Sequence, residues 1–176
     1  MMAKWRRFIV GTGKARAGYV GLLDTSNISI AGVSPSATGS DKVLLQAILK
    51  GRALNKTPTG LYILGFGTFA ANGNTKTLKA WLGASAVTGF TIFSSGAITT
   101  NGNGWILEAM VWRSGSKTQI GVGQLSIQAA APPVVSVSTA GTQDDTVDLV
   151  VSLSANCATA TTDVVCNGLI VESMNL

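Results

Sequence analysis

The chain predicts an all-β fold, an antiparallel sandwich or barrel of eight or nine strands preceded by an extended N-terminal arm. Three observations lead there. Gly, Ser, Thr, Val and Ala dominate, with 21 Gly and only 4 Pro in 176 residues, a composition of short strands and tight turns. From Asp41 onward apolar and polar residues alternate with a period of two, the period of a half-buried strand. Turn signals recur at short, even intervals, and helical start and stop signals are lacking between them.

Residues 1–40 read as the arm. Its apolar pieces, Phe8–Val10, Tyr19–Leu23 and Ile28–Val33, are short and separated by Gly, Ser and Asn. Val33–Ser40 is a linker by composition. Residues 41–176 form the β domain. In Lys42–Leu54 the period-two reading puts Val43, Leu45, Ala47 and Leu49 on one face, although Leu44, Leu45, Ile48 and Leu49 also fit a helical stripe. Pro58-Thr59-Gly60 is a turn. Gly60–Gly83 then reads as a hairpin. Leu61, Ile63, Phe66 and Phe69 supply its first arm, and Asn72-Gly73-Asn74 turns, since Asn and Gly tolerate positive φ. In the second arm Thr75, Thr77, Lys79 and Trp81 alternate with Lys76, Leu78, Ala80 and Leu82, and Trp81 is expected to pack inside.

Further strands are expected at Val87–Ser94, Trp105–Arg113, Thr118–Gln128, Val134–Thr139, Val147–Ser154 and Val164–Met174. The turns between and around them are Ser95-Gly96, Asn101–Gly104, Ser114–Ser116, Ala140–Thr142 and Asn167-Gly168. Pro132-Pro133 cannot sit in a central ladder, so it marks a sheet edge or a crossing between sheets.

The chain is 46% hydrophobic and 12% charged, enough apolar material for a real core and too little charge for a disordered chain. The apolar runs are broken well before the ~18 residues of a membrane helix. Phe8–Val10, after Lys4, Arg6 and Arg7, is too short for the core of a secretion signal. A protein made in the cytoplasm, with no membrane partner, is expected. The charge is asymmetric: nine basic and two acidic residues up to Lys56, four basic and six acidic after it. The basic arm suits solvent, an acidic protein surface or nucleic acid. Docking on protein is preferred, because only Trp5, Phe8 and Tyr19 interleave aromatic rings with the charges. The expected docking residues are Trp5, Arg6, Arg7, Phe8, Lys14, Arg16 and Tyr19.

Catalytic signatures are scarce. The chain has no histidine, which removes the commonest general base, the commonest metal ligand and every Ser-His-Asp or Cys-His arrangement. Asp144, Asp145 and Asp148 cluster before and within one strand; Asp144-Asp145 reads as a solvated loop, with a Ca²⁺ loop as the sharper alternative. Glu108, between Leu107 and Ala109, reads as the polar face of its strand. A two-carboxylate hydrolase built on Glu108, Asp144 or Asp145 is the residual enzymatic reading. Gly11–Lys14 and Gly65–Thr68 lack the spacing of a phosphate loop. Cys157 and Cys166 would face each other if the residues between them were a hairpin loop, but a reducing compartment favours free thiols. No catalytic residue, cofactor or metal site is assigned. Trp105 and Trp112 are seven residues apart and so point to opposite faces of one strand. One belongs to the core, and the other is available to a subunit contact or a sugar.

The runs GLYILGFGTFAANGNTKTLKAWLG, NGNGWILEAMVWRSG, DDTVDLVVSLS and DVVCNGLIVESMNL resemble the small jelly-roll virion proteins of tailed bacteriophages. The motifs are the strand Asn74–Lys79 after an Asn-Gly turn, the strand Gly104–Ala109 after another, and Val171-Glu172 near the end. The resemblance covers residues 42–176 and does not reach the arm. It implies a jelly-roll sandwich that trimerises and serves as capsid cement or decoration, a head fibre or a tail-fibre knob. The expected partners are further copies of the chain and virion proteins such as the major capsid protein or a tail or portal component, with the N-terminal segment as anchor. The expected location is the virion, assembled in the host cytoplasm. The rival reading is a receptor-binding knob that recognises a host surface glycan.

Overall fold

In the computed structural model, the residues described are 33–54, 59–100, 102–128 and 132–175. They form nine strands: β1 (Lys42–Leu49), β2 (Thr59–Phe69), β3 (Lys76–Gly83), β4 (Phe90–Ser94), β5 (Gly104–Gly115), β6 (Thr118–Ile127), β7 (Val134–Gly141), β8 (Leu149–Cys157) and β9 (Val164–Asn175). A single 3-10 turn, Thr161–Asp163, precedes β9. The strands make two antiparallel sheets, one of four in the order β1-β8-β3-β4 and one of five in the order β7-β6-β5-β2-β9. The all-β sandwich is as the alternation predicts. Three neighbouring pairs, β3-β4, β5-β6 and β6-β7, are consecutive in sequence. The other connections cross between the sheets, and we do not assign this winding as a jelly roll.

Within the Lys42–Leu54 segment, Lys42–Leu49 resolves as a strand and Gly51–Leu54 as a turn, without the helical alternative. Its register slips between Val43 and Leu45. This bulge turns Leu44 inward as well as Leu45, Ala47 and Leu49, which is why the sequence also matched a helical stripe. A second bulge, between the partners of Ala80 and Trp81, turns both Ile92 and Phe93 inward. They fit because β6 presents Gly121 and Gly123 opposite them, where a Cβ would collide with Ile92 and Phe93.

The predicted hairpin at Gly60–Gly83 is overturned. β2 lies in the five-stranded sheet and β3 in the four-stranded one, so Asn72–Asn74 carries the chain across the sandwich. None of these three residues has a positive φ. The signals read as reversals are also used differently at Asn167-Gly168. That pair lies inside β9, at a bulge where Phe66 pairs with Gly168 and Gly67 with Cys166. Asn167 is skipped, and the Phe66 ring lies against Gly168. The true hairpin turn between β5 and β6 has Lys117 at φ 55. Pro133 stands immediately before β7, an edge strand, as its missing N–H requires.

The core lies between the sheets. Leu61, Ile63, Leu107, Ala109, Val111 and Leu125 from one sheet meet Leu78, Leu82, Phe93, Val151 and Leu153 from the other. Trp105 is among the largest buried side chains. Gly65 and Gly67 are bare because a Cβ there would strike Leu153 or the Trp105 ring. Their spacing serves packing rather than phosphate binding.

The linker expected at 33–40 is tied to the sandwich. Val33 and Cys166 exchange both backbone hydrogen bonds at 2.8 Å, and Gly39 N–H donates to the Cys157 carbonyl at 2.9 Å. Residues 33–40 therefore belong structurally with the β domain. The proposed docking residues Trp5, Arg6, Arg7, Phe8, Lys14, Arg16 and Tyr19 lie outside the described residues.

Candidate functional site

The outward face of the five-stranded sheet is the feature that the fold leaves unexplained. Strand register places its side chains in four rows. Ile120, Trp112, Gly60 and Met174 form the first; Val137, Val122, Met110, Tyr62 and Glu172 the second; Val135, Gln124, Glu108, Leu64 and Ile170 the third; Ser126, Ile106, Phe66 and Gly168 the fourth. The rows contain no lysine or arginine. Five large apolar side chains are openly exposed: Phe66, Ile106, Ile120, Val135 and Val137, the last at 64%. An outward sheet face is usually polar where it meets water. A contiguous apolar one marks a contact surface.

A polar cluster sits in the middle of this face. Tyr62 Oη donates to Glu108 Oε1 at 2.6 Å, and Gln124 Nε2 donates to Glu108 Oε2 at 2.8 Å. The bonds from Tyr62 and Gln124 hold the Glu108 carboxyl below its ordinary value, against the opposing effect of burial. Burial, the bond to Glu108, and the Glu108 and Glu172 charges push the Tyr62 hydroxyl up to about 12. With Met110, Val122 and Val135 these residues line a shallow depression of about 320 Å³. Both Glu108 oxygens are engaged as acceptors by neutral donors. The arrangement fixes a carboxylate on the outer face, where Glu108 was expected, with Glu172 paired beside Tyr62 in the neighbouring row.

Of the two candidate interface tryptophans, one of which was expected in the core, Trp105 is the core residue and Trp112 the outward one. Trp105 is 2% exposed, and its Nε1 has no hydrogen-bond partner among the described residues. Trp112 is half-buried on the outward face, its indole lying over Gly60 beside Met174. Trp81, expected inside, is corrected. It faces outward from the four-stranded sheet, half-buried, with Nε1 donating to Ser154 Oγ at 2.8 Å and Lys79 Nζ 5.3 Å from its ring centroid. The signal that marks the apolar face, and that the tryptophans obscured, is doubled hydrophobicity. Ile106-Leu107 and Val134-Val135 put apolar residues on both faces of a strand.

The acidic loop is a clamp. Asp144 accepts from Lys117 Nζ at 2.7 Å and from Thr146, which together lower its carboxyl to about 2. Asp148 accepts from Lys50 Nζ and from Gly51 N–H, both at 2.8 Å. Asp145 is 3% exposed and paired with Arg113, which corrects its reading as a solvated residue. The three carboxylates thus reach three different basic partners and do not converge on one point. Among the described residues no group of three His, Cys, Asp or Glu could hold a metal ion.

The Asn72–Asn74 crossing encloses a second polar cluster. Lys76 and Asp163 are both fully buried. Lys76 Nζ donates to Asn72 O, Asn72 Oδ1, Asn74 O and Thr100 O, at 3.1, 3.2, 2.9 and 3.3 Å. Asp163 accepts from Asn72 Nδ2 at 2.6 Å, Asn74 Nδ2 at 3.0 Å and Ala160 N–H at 3.3 Å. Burial pushes the Asp163 carboxyl up, but the Asn72, Asn74 and Ala160 donors and the Lys76 charge outweigh it and hold the group below its ordinary value. The two asparagines are therefore bridges between a buried cation and a buried anion.

Cys157 and Cys166 are free and fully buried on strands of different sheets, so the hairpin that would have faced them together does not exist. Burial pushes the Cys166 thiol up to about 12, which makes it a poor nucleophile.

No family model matches the chain, and no curated protein does. The likeness to phage virion proteins therefore rests on the strand and turn motifs alone. Asn74–Lys79 leads into β3, Gly104–Ala109 opens β5 and Val171-Glu172 lies in β9.

Proposed function

We propose that this chain is a non-enzymatic structural protein of a tailed-phage virion. In this reading it is an oligomer, a trimer by the resemblance, of the capsid cement or decoration type. It is held to the particle through its basic N-terminal arm, and the major capsid protein or a tail or portal component is its other partner. The observation that carries the reading is the apolar, lysine- and arginine-free outward face of the five-stranded sheet. Exposed apolar area is unfavourable at about 25 cal/mol per Å². A stable protein contact covers roughly 800 Å² on each partner, and a five-stranded face is of that order. The scattered, individually paired carboxylates support a structural role over hydrolysis.

Light scattering of the full chain is expected to give about three times the 18.0 kDa chain mass, and electron images of particles assembled with the protein should show added threefold density. A chain that stays single at high concentration and does not join particles overturns the reading. The rival glycan-binding knob receives less support: Trp81 and Trp112 are half-buried by their own neighbours, and Trp105 is internal, so none of the three offers an open platform.

A further inference from the structure

We propose that Lys76 and Asn72 react to form an intramolecular amide bond between their side chains, with Asp163 as the proton-transfer group. This chemistry needs an amine, a carboxamide and an acid–base group, and the Asn72–Asn74 crossing assembles all three, with Lys76 and Asp163 buried and Asn72 half-buried. Lys76 Nζ lies 3.2 Å from Asn72 Oδ1 and 3.1 Å from the Asn72 carbonyl oxygen, so the amine already contacts the carboxamide whose Cγ would be attacked. Asn74 N–H donates to the same Oδ1 at 3.1 Å, where negative charge would gather in the tetrahedral intermediate. Asp163 Oδ1 is 2.6 Å from Asn72 Nδ2, the nitrogen that would leave. Its second oxygen is pinned by Asn74 Nδ2 and Ala160 N–H, so the carboxylate is held in place.

The surroundings favour the reaction. Lys76 and Asp163 are fully buried. Phe69, its centroid 6.0 Å from Nζ, and Trp105 behind it form an aromatic wall. The cation and anion are bridged by amides, and among the described ion pairs none joins Lys76 to Asp163 directly. Two buried charges held apart in this way are costly to keep, and the reaction removes both.

The step balances without an outside reactant. The Lys76 ammonium gives up a proton that reaches Asp163 through the Asn72 carboxamide bridging them, and the Nζ lone pair forms a bond to Asn72 Cγ while the C=O π pair moves to Oδ1. Asp163 passes the proton to Nδ2, the Oδ1 pair re-forms the C=O as the Cγ–Nδ2 bond breaks, and ammonia leaves. The new amide nitrogen returns its surplus proton to Asp163. A neutral amide, a neutral carboxylic acid and one ammonia replace the ammonium, the carboxylate and the carboxamide.

Intact mass spectrometry of the purified full chain tests this. The expected mass is that of the sequence less one ammonia, with trypsin no longer cutting after Lys76 and a cross-linked peptide joining positions 72 and 76. Asn72-Gly73 could also lose ammonia by closing a succinimide on the Gly73 nitrogen, so Lys76→Arg is the deciding variant. It keeps the charge and the donors but lacks a nucleophilic amine. Full mass in Lys76→Arg beside the lighter wild type supports the bond, as does full mass in a folded Asp163→Asn. A wild-type chain at its full sequence mass overturns the proposal, and so does an ammonia loss that persists in Lys76→Arg.

Discussion

The two outward faces of this sandwich are built on opposite rules. The four-stranded sheet shows water Thr77, Lys79, Asn156, Gln46 and Thr91, together with the exposed Ile48, and it closes over its own polar groups. Trp81 covers Ser154, the Val87 N–H reaches Ser152 Oγ at 3.2 Å, and Lys79 pairs with Asp41 at 2.7 Å. Ser152 and Ser154 are fully buried as a result, although they point away from the core. The five-stranded sheet does the reverse. It covers two backbone gaps, with Phe66 over Gly168 and Trp112 over Gly60, and leaves Ile106, Ile120, Val135 and Val137 open. One face is mostly closed within the chain. The other is largely apolar around the Tyr62–Glu108–Gln124 cluster and stands open to water.

The largest effect should come from between the faces, where neither rule applies. Trp105→Ala is expected to cost ~3–5 kcal/mol of unfolding free energy, read from denaturant midpoints. Trp105→Phe should cost much less. It removes volume, but it also removes an indole N–H that is buried without a partner among the described residues, itself a burden of about 1–3 kcal/mol. Equal losses in the two variants would show that this N–H is satisfied after all.

Next in size is a direct contrast between the faces. Val137→Asp and Ile106→Asp should each weaken self-association by tenfold or more, since each removes ~1.5–3 kcal/mol of apolar burial. The unfolding free energy of the dissociated chain should stay within about 0.5 kcal/mol. Thr77→Asp and Thr91→Asp, on the polar face, should leave the association constant unchanged in sedimentation equilibrium. If all four variants behave alike, the apolar face is not the contact. On the polar face the informative change is Ser154→Ala, which strips the Trp81 indole of its acceptor and should lower stability by ~1 kcal/mol in thermal unfolding.

Much of this architecture was legible in the sequence, because alternation reports strands directly. The positions of β5, β6, β7, β8 and β9 follow the expected runs within a few residues. Partnership was not legible. Asn72-Gly73-Asn74 looked like a hairpin turn, since Asn and Gly commonly supply positive φ. Here the asparagine side chains instead bridge Lys76 and Asp163, which is 89 residues beyond Asn74. Asn167-Gly168 looked like a turn and is a bulge, decided by its pairing with Phe66 and Gly67. The apolar face was hidden for a related reason. Val135, Val137, Ile106 and Phe66 are scattered over three strands in the chain, and only register makes them neighbours. Trp81 left its expected place inside the sandwich because tryptophan is amphipathic enough for either side of a strand.

The smallest effect is the one that reports the apolar face from within. Tyr62 and Glu108 titrate in opposite senses. The Glu108 carboxyl is lowered in the folded chain, so its contribution to stability is present above the ordinary glutamate value of about 4.3 and is lost as pH falls through the folded value. The Tyr62 hydroxyl is raised, so its contribution is present below the ordinary tyrosine value of about 10 and is lost as pH rises toward about 12. Tyr19 and Tyr62 are the two tyrosines of the chain. Phenolate absorbance of Tyr19→Phe therefore follows Tyr62 alone, and its midpoint should lie near 12. Glu108→Gln should move that midpoint back toward 10, since the strongest acceptor and a nearby negative charge disappear together. A midpoint near 10 in the parent chain would mean that the bond at the centre of this face does not form in solution. A midpoint that climbs with protein concentration would mean that the face is being covered by another copy.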